Sequence, residues 1–338
     1  MSSRSDTAPA PSGFGAQVRS AVIWRSGTQI FSQLVAWAST FLVIRILSPS
    51  DYGLFAMTSV VLVLLSLLNG QGFANAAIQQ RDGGPRQLRQ LFGLLLVVNL
   101  ALAALQVLAA PLVAAYYRQP MVADLLRVQA LIYLTNPFLA LGTTVLCRAM
   151  DFRKQAQVNV ISALTGAAVA LLGAMAGLGV WTLVVAPLAT FTVRGLGMAI
   201  AARALVWPSF DFRGTGALAA YGGTVMAGQI FWFAQTQADI VIAGRVFPAA
   251  ELGYYTTALF LAQIFVTKVV PPLNEVAFAA YAQIQDDLAA VGAGFLKSVR
   301  LIMALAMPFC LGLAAVAEPA VRVMLGAKWL PAAPVVSL

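Results

Sequence analysis

The sequence of 338 residues contains no histidine, only two cysteines and few charged residues. The absence of histidine excludes histidine-ligated metal sites and catalysis by an imidazole acid or base. Charged residues make up 10% of the chain, whereas ordinary soluble domains carry about a quarter. Cys147 and Cys310 lie inside apolar runs, where we expect them to pack as small apolar side chains rather than form a disulfide.

Hydrophobic residues, in contrast, make up 60% of the chain, and its mean hydropathy is +0.84. Runs of about 20 apolar residues recur along its whole length, which is typical of transmembrane helices. We therefore predict an all-α polytopic membrane protein, preceded by a disordered cytoplasmic tail over residues 1–17. The nine predicted spans are 18–47, 52–80, 91–115, 125–147, 158–178, 181–206, 218–247, 252–281 and 295–313.

One turn between predicted spans occurs twice, at residues 45–55 and again 200 residues later at 245–255. The copies share an arginine, an acid and a glycine at one spacing: Arg45, Asp51 and Gly53 in the first, and Arg245, Glu251 and Gly253 in the second. We interpret the turns as hinges or gates of a duplicated protein. Alternatively, Arg45 and Asp51 only complement helix dipoles. Ser48 to Asp51 predict a capping box with proline at the first helical position.

The repeat divides the chain into a first bundle of six helices, residues 18–208, and an incomplete second bundle, residues 209–338. The second spans of both halves contain helix breakers at equivalent places, Asn69 to Gly72 and Val269 to Pro272. Interrupted helices at matching positions indicate a central transport site. The polar residues predicted to bind substrate there are Asn69, Gln71, Asn75, Lys268, Asn274 and Glu275, together with the intramembrane Arg25 and Arg194.

Two intramembrane charges have alternative interpretations. Lys268 follows an apolar run, and leaving it in lipid costs several kcal/mol, so we expect it to face an aqueous cavity. The alternative is a side chain that snorkels to the lipid headgroups. Asp239 is a candidate for binding a coupling ion, or it pairs with an arginine. Lys and Arg concentrate in the loops on one side, which predicts a cytoplasmic N-terminus. The net charge of +9 then indicates attraction to anionic lipid and not to nucleic acid.

Several segments resemble the polysaccharide-biosynthesis flippase family, which is also called Wzx-like. They are residues 47–57 (LSPSDYGLFAM), 72–82 (GFANAAIQQRD), 150–153, 242–255 and 317–329, and the likeness runs from about Arg19 to the last residue. The resemblance implies the multidrug/oligosaccharidyl-lipid/polysaccharide exporter superfamily. It also implies a MATE-like fold, in which two six-helix bundles face each other across a central cavity. The second bundle is expected to be incomplete in this chain.

The resemblance implies a flippase of the bacterial inner membrane that moves polyprenyl-diphosphate-linked oligosaccharide between leaflets. Arg25, Arg194 and Lys268 would line its cationic cavity. Expected partners are membrane lipids and the polysaccharide polymerase and glycosyltransferases of the pathway; no cofactor, metal or catalytic residue is expected. A multidrug-type, cation-coupled exporter of the same fold is the alternative. A membrane-bound sugar polymerase fits less well, because the predicted outer loops are short and the acids are scattered.

Overall fold

The computed structural model describes residues 14–67, 85–149, 151–203, 206–210, 216–283 and 287–338. These residues are almost entirely helical, and no strand occurs among them, which confirms the all-α prediction. The helices are α1 (Phe14–Ile46), α2 (Pro49–Leu67), α3 (Pro85–Tyr117), α4 (Met121–Gln129), α5 (Ile132–Arg148), α6 (Phe152–Met175), α7 (Val180–Ala201), α8 (Gly216–Val246), α9 (Ala249–Gln283), α10 (Leu288–Ala315), α11 (Ala317–Met324) and α12 (Ala333–Val336). A 3₁₀ helix, Ala327–Ala332, lies between α11 and α12.

Seven segments of the described chain are long and apolar enough to cross a membrane. They are Gly27–Ile46, Pro49–Leu67, Leu88–Tyr117, Met121–Arg148, Phe152–Met175, Val180–Ala201 and Ala289–Ala315. The chain is therefore a multi-pass membrane protein. Helices α8 and α9 lie where the seventh and eighth spans are predicted. The total of nine spans stays a prediction.

The structure shifts some predicted boundaries and corrects one. Helix α1 begins at Phe14, so the last four residues of the predicted tail are helical, whereas residues 1–13 and the breaker at 69–72 lie outside the described residues. Helix α9 continues through Pro271 and Pro272, so the predicted interruption there is wrong. The φ angle of proline fits a helix, and each ring removes one backbone hydrogen bond without forcing the chain to leave the helix.

The predicted fourth span consists of two helices, α4 and α5, which meet at Ala130 and Leu131. The joint is tightened by short-range hydrogen bonds, from the Leu131 amide to Val128 O (3.1 Å) and from the Tyr133 amide to Ala130 O (3.2 Å). Pro137 lies inside α5, one turn after the joint. Because proline has no amide hydrogen to bond the carbonyl four residues earlier, its effect on the helix falls in the preceding turn.

The chain divides into two compact units, residues 1–43 with 58–238, and residues 44–57 with 239–338. In the first unit α7 packs on α6 and α5, and α3 packs on α4 and α5. Small residues allow these helices to approach each other closely. Gly142 contacts the backbone of Met198, and Gly195 contacts the carbonyl of Thr135. The predicted division at residues 208 and 209 remains a prediction.

Candidate functional site

The turn between α1 and α2 is closed by the predicted capping box. The amide of Ser48 donates to the Asp51 carboxylate (2.9 Å), and the Ser48 hydroxyl donates to the same oxygen (2.6 Å). The Asp51 amide donates back to the Ser48 hydroxyl (3.3 Å), and Pro49 is the first residue of α2. The described contacts of Asp51 therefore support the capping interpretation, and the turn has a fixed geometry.

The two copies of the hinge pack against each other through their glycines. Gly53 lies so close to the carbonyl of Ala249 that a β-carbon would overlap it. Gly253 lies equally close to the carbonyl of Pro49. Pro49 and Ala249 occupy equivalent positions in the two copies, so each glycine contacts the start of the other copy's helix. The contact is reciprocal, as a two-fold relation between the copies would produce.

Trp329 fills the space beside this crossing and is completely buried. Its ring packs edge-on against Tyr52 (5.4 Å between centroids) and Tyr254 (5.9 Å), one aromatic residue from each copy. Its indole nitrogen donates a 2.9 Å hydrogen bond to the carbonyl of Ile44, in the last turn of α1. Trp329 therefore contacts both copies of the hinge at once.

Two cations connect the same elements. Arg45, in the last turn of α1, donates to the carbonyls of Val323 and Met324 at the end of α11. Lys328 donates a 3.0 Å hydrogen bond to the carbonyl of Ile46, where α1 ends. Helix C-termini carry partial negative charge and attract cations. Partial desolvation lowers the pKa of Lys328, and the Asp51 carboxylate acts in the opposite direction.

We call this set of contacts the clasp. It comprises Ile44, Arg45, Ile46, Pro49, Tyr52, Gly53, Ala249, Gly253, Tyr254, Val323, Met324, Lys328 and Trp329. The sequence predicted the hinge residues but not the part played by Lys328 and Trp329. A signal was available, because both belong to the segment 317–329 that carries part of the family resemblance. A sequence motif shows which residues occur together along the chain, but it does not show which distant turn they contact.

The second hinge copy carries further polar residues of the predicted set. Tyr255 donates a 2.7 Å hydrogen bond to the Asp239 carboxylate, which joins the start of α9 to the C-terminal part of α8. Arg245 lies in the last turn of α8 and Glu251 in the first turn of α9, and both are exposed. They repeat the helix-end charges of the first copy, where Arg45 and Asp51 occupy the same positions.

The predicted substrate-binding residues are described only in part. On α9, Lys268 and Asn274 are exposed; on α7, Arg194 is half-buried, and its Nε has no partner among the described residues. Asn69, Gln71 and Asn75 lie outside the described residues, and so do the side chains of Arg25 and Glu275. Their common cavity stays a prediction. Within the described chain, no group of three His, Cys, Asp or Glu side chains is placed to hold a metal ion.

A family model described as polysaccharide biosynthesis protein matches residues 42–334. The succinoglycan biosynthesis transport protein ExoT of Rhizobium meliloti is 30% identical over 295 residues, which cover 87% of this chain and 60% of that protein. The lipopolysaccharide biosynthesis protein WzxC of Escherichia coli is 23% identical over 296 residues, again 87% of this chain and 60% of that protein. The chain thus spans about 60% of the length of these curated relatives.

The solved structure of the lipid II flippase MurJ in an inward closed conformation is also similar. The TM-score is 0.61 at 14% sequence identity, over 93% of this chain and 70% of that one, which establishes a shared fold. The sequence segments, the helical fold and the family match agree with the predicted resemblance. The chain belongs to the polysaccharide biosynthesis protein family.

Proposed function

We propose that this chain flips lipid-linked oligosaccharide or polysaccharide precursors across the bacterial inner membrane by alternating access. Its family membership supports this function, as do the transport and lipopolysaccharide biosynthesis names of its relatives and the fold it shares with a lipid II flippase. We infer nine spans with the N-terminus in the cytoplasm. The proposed activity is transport, which requires no catalytic residue.

The reciprocal contact between the hinge copies is the observation that carries the proposal. Alternating access requires an element with two discrete arrangements. In the clasp, Gly53 and Gly253 hold two helices in direct backbone contact, and Trp329 fills the remaining space. We infer that the clasp is the closed state of an outer gate. Opening separates both glycine contacts together and withdraws Trp329 from between Tyr52 and Tyr254.

Charged residues lie at the four helix ends that flank the two hinge turns, those of α1, α2, α8 and α9. Asp51 fixes the first turn through Ser48, and Arg45 ties α1 to the end of α11. Arg245 and Glu251 occupy the same places in the second copy. The bonds of the first copy let that hinge turn move as a rigid piece, so that motion concentrates at the glycine contacts.

The chemistry of the substrate explains why positively charged side chains are expected along the transport path. A polyprenyl diphosphate carries an anionic headgroup and an apolar tail, so its headgroup and sugars need polar surroundings while the tail stays in lipid. Arg25, Arg194 and Lys268 supply positive charge, whereas Asn69, Gln71, Asn75, Asn274 and Glu275 supply hydrogen bonds. The polymerase and glycosyltransferases of the pathway act on the same lipid-linked sugars, which makes them the expected partners.

Replacing Lys268 tests the role of this cation. Lys268→Ala is expected to abolish polymer export in cells while the protein still inserts into the membrane, and Lys268→Arg retains part of the export because it keeps the charge. Lys297→Ala, at an exposed position on α10, is the matched control and exports normally. Normal export by Lys268→Ala, at an equal membrane level on an immunoblot, would remove Lys268 from the pathway.

Asp239 remains our candidate for the coupling ion, because its carboxylate is exposed and is held by Tyr255. Asp239→Asn keeps the hydrogen bond and removes the charge. Export that no longer responds to the ion or proton gradient in this variant is the expected result. Efflux of cationic dyes by the wild-type chain without any polymer export would favour the multidrug-type exporter instead.

A further inference from the structure

A short segment after α7, residues 206–210, is bonded to the first part of α3; we call it the strap. The amide of Ser209 donates to the carbonyl of Arg89 (2.9 Å), and the Nε of Arg89 donates to the carbonyl of Trp207 (3.0 Å). Gly93 lies so close to the backbone of Ser209 that a β-carbon would overlap it. The strap is therefore fixed on α3, although it is not helical.

The strap has an apolar inner side and an aromatic outer side. On the inner side, Val206 packs against a buried cluster of Phe92 on α3 and Leu141 on α5. On the outer side, Trp207 is 84% exposed and Phe210 is 60% exposed. Because the backbone of the strap is bonded to α3, these two rings are held on the surface of the first unit.

The strap lies at the level where the membrane spans of this unit begin and end. Arg89, which bonds the strap, is the second residue of the span Leu88–Tyr117. Non-helical backbone is not tolerated against lipid hydrocarbon, and aromatic side chains concentrate at the membrane–water interface. Trp207 and Phe210 are therefore placed at the boundary between hydrocarbon and headgroups.

The same end of the unit is strongly basic. Here α3 and α6 begin and α5 and α7 end, and the only acid among the described residues at these four ends is Asp151, which pairs with Lys154. The basic residues at these ends are Arg86, Arg89, Arg148, Arg153, Lys154 and Arg203. In the sequence, the adjoining loops add one cation and one acid each, so the excess remains: Arg81 with Asp82, and Arg213 with Asp211.

Two of these arginines are close to the strap and are exposed. The bond from Nε fixes the guanidinium of Arg89 and leaves its terminal nitrogens without a partner among the described residues. Arg203 follows the end of α7 with a φ of 49°, a conformation in which glycine is normally favoured. Their sequence neighbours, Leu88 and Ala202, pack against the same buried cluster as Val206, which brings both arginines to one place.

A guanidinium binds a phosphate group through two parallel hydrogen bonds, and anionic lipid attracts Lys and Arg at the membrane surface. We propose that the strap, Arg89 and Arg203 form a binding surface for the headgroup of an anionic phospholipid, with Trp207 and Phe210 inserted at the interface beside it. The net charge of the chain gives a general attraction to such lipids, whereas the strap gives the contact a defined position. The proposal does not depend on the transport function.

Quenching of tryptophan fluorescence by brominated lipid tests this contact in the purified 338-residue chain. Phosphatidylcholine nanodiscs would contain a minor fraction of brominated phosphatidylglycerol or, in the reference sample, of brominated phosphatidylcholine. The difference between the wild type and Trp207→Phe isolates the signal of Trp207. We expect phosphatidylglycerol to quench Trp207 at least about twofold more strongly at an equal mole fraction, because each nearby cation favours the anionic lipid.

Two results of this measurement would overturn the proposal. Equal quenching by the two brominated lipids would show that the surface does not select anionic headgroups. Quenching by neither lipid would place Trp207 outside the bilayer, where a protein partner would have to cover it. In a competition arm, unlabelled phosphatidylglycerol should reverse the quenching; reversal by a polyprenyl phosphate alone would assign the surface to the transported lipid instead.

Substitutions assign the selectivity to the two arginines. The double variant Arg89→Gln/Arg203→Gln should quench equally with both lipids, and Arg203→Gln alone should lose part of the preference while the strap bonds remain. Arg118→Gln is the matched control, because Arg118 is also exposed and also follows a helix end with a positive φ (55°), but at the opposite end of α3. It should keep the wild-type preference. An unchanged preference in the double variant would place the lipid elsewhere and overturn the assignment.

Discussion

The indole nitrogen of Trp329 donates a 2.9 Å hydrogen bond to the backbone carbonyl of Ile44, although the two residues are separated by 285 positions in the chain. This bond lies among fully buried side chains, where a carbonyl that loses its donor is costly. It joins the end of α1 to the segment after α11. Its removal is therefore the most direct test of whether the clasp stabilises the second unit.

Trp329→Ala should destabilise the folded chain by about 3–5 kcal/mol, because it removes a buried indole and leaves a cavity. Trp329→Phe keeps an aromatic ring beside Tyr52 and Tyr254 but leaves the Ile44 carbonyl unbonded, at a cost of about 1–3 kcal/mol. Thermal unfolding in detergent measures both losses. Trp207→Ala is the control, because Trp207 is 84% exposed; a loss there as large as at Trp329 would contradict this account.

Gly53→Ala and Gly253→Ala should each force the hinge copies apart, since neither site has room for a β-carbon. Leu252 is 1% exposed beside the crossing. A cysteine at position 252, in a background with Cys147→Ser and Cys310→Ser, should react with a water-soluble maleimide at least about tenfold faster in either glycine variant.

Gly292→Ala serves as the control for both substitutions. A β-carbon at Gly292 would meet no atom within 4 Å, so the labelling rate should stay that of the parent. If Gly53→Ala and Gly253→Ala also label at the parent rate, the two hinges do not form the closed contact in the membrane.

Asp151 gives the chain a pH-sensitive helix cap. Its carboxylate accepts from the Lys154 amide at the start of α6 (3.2 Å) and pairs with the Lys154 ammonium (2.8 Å). The hydrogen bonds from Lys154 hold the pKa of Asp151 below its ordinary value. Because the folded pKa is depressed, this stabilisation is fully present above the ordinary value of 3.8 and is lost as the pH falls through the folded pKa.

Asp151→Ala should therefore cost about 1 kcal/mol at neutral pH through loss of the cap. Asp151→Asn still caps the helix but does not titrate, so its stability should change less than that of the wild type between neutral pH and pH values below 3.8. Thermal unfolding across this range measures the difference. If the stability of the wild type and that of Asp151→Asn change in parallel with pH, the assignment of Asp151 as a titrating helix cap is contradicted.

Reporter fusions test the proposed orientation. A fusion in the predicted loop from Arg81 to Arg89 should report the cytoplasm, and a fusion at Ser50 should report the outer side, since one span separates them. Alkaline phosphatase and a fluorescent protein provide opposite signals for the two compartments. The same compartment for both fusions would invalidate the assigned spans.

The local features of the fold were predictable from sequence because they depend on neighbouring residues. Ser48, Pro49 and Asp51 define the cap within four positions, and apolar runs define the membrane helices. The continuity of α9 was not predictable, because two prolines weaken a helix without determining whether its remaining bonds and packing maintain it. The contact of Trp329 with Ile44 depends on how distant segments pack, and a single sequence contains no direct sign of it.

The residues of the clasp are far apart in the sequence, and this separation determines when the clasp can form during synthesis. At about 5–20 residues per second, the ribosome needs about 15–60 s to add the 285 residues between Ile44 and Trp329. During that interval the last-turn carbonyls of α1 have neither the indole nor Lys328 as donors. Gly53 has no second helix to contact until Ala249 and the start of α9 have been made. The first hinge therefore enters the bilayer with its final partners still unmade. Completion of the clasp is a late event in the biogenesis of this protein, well after its first helices have been inserted.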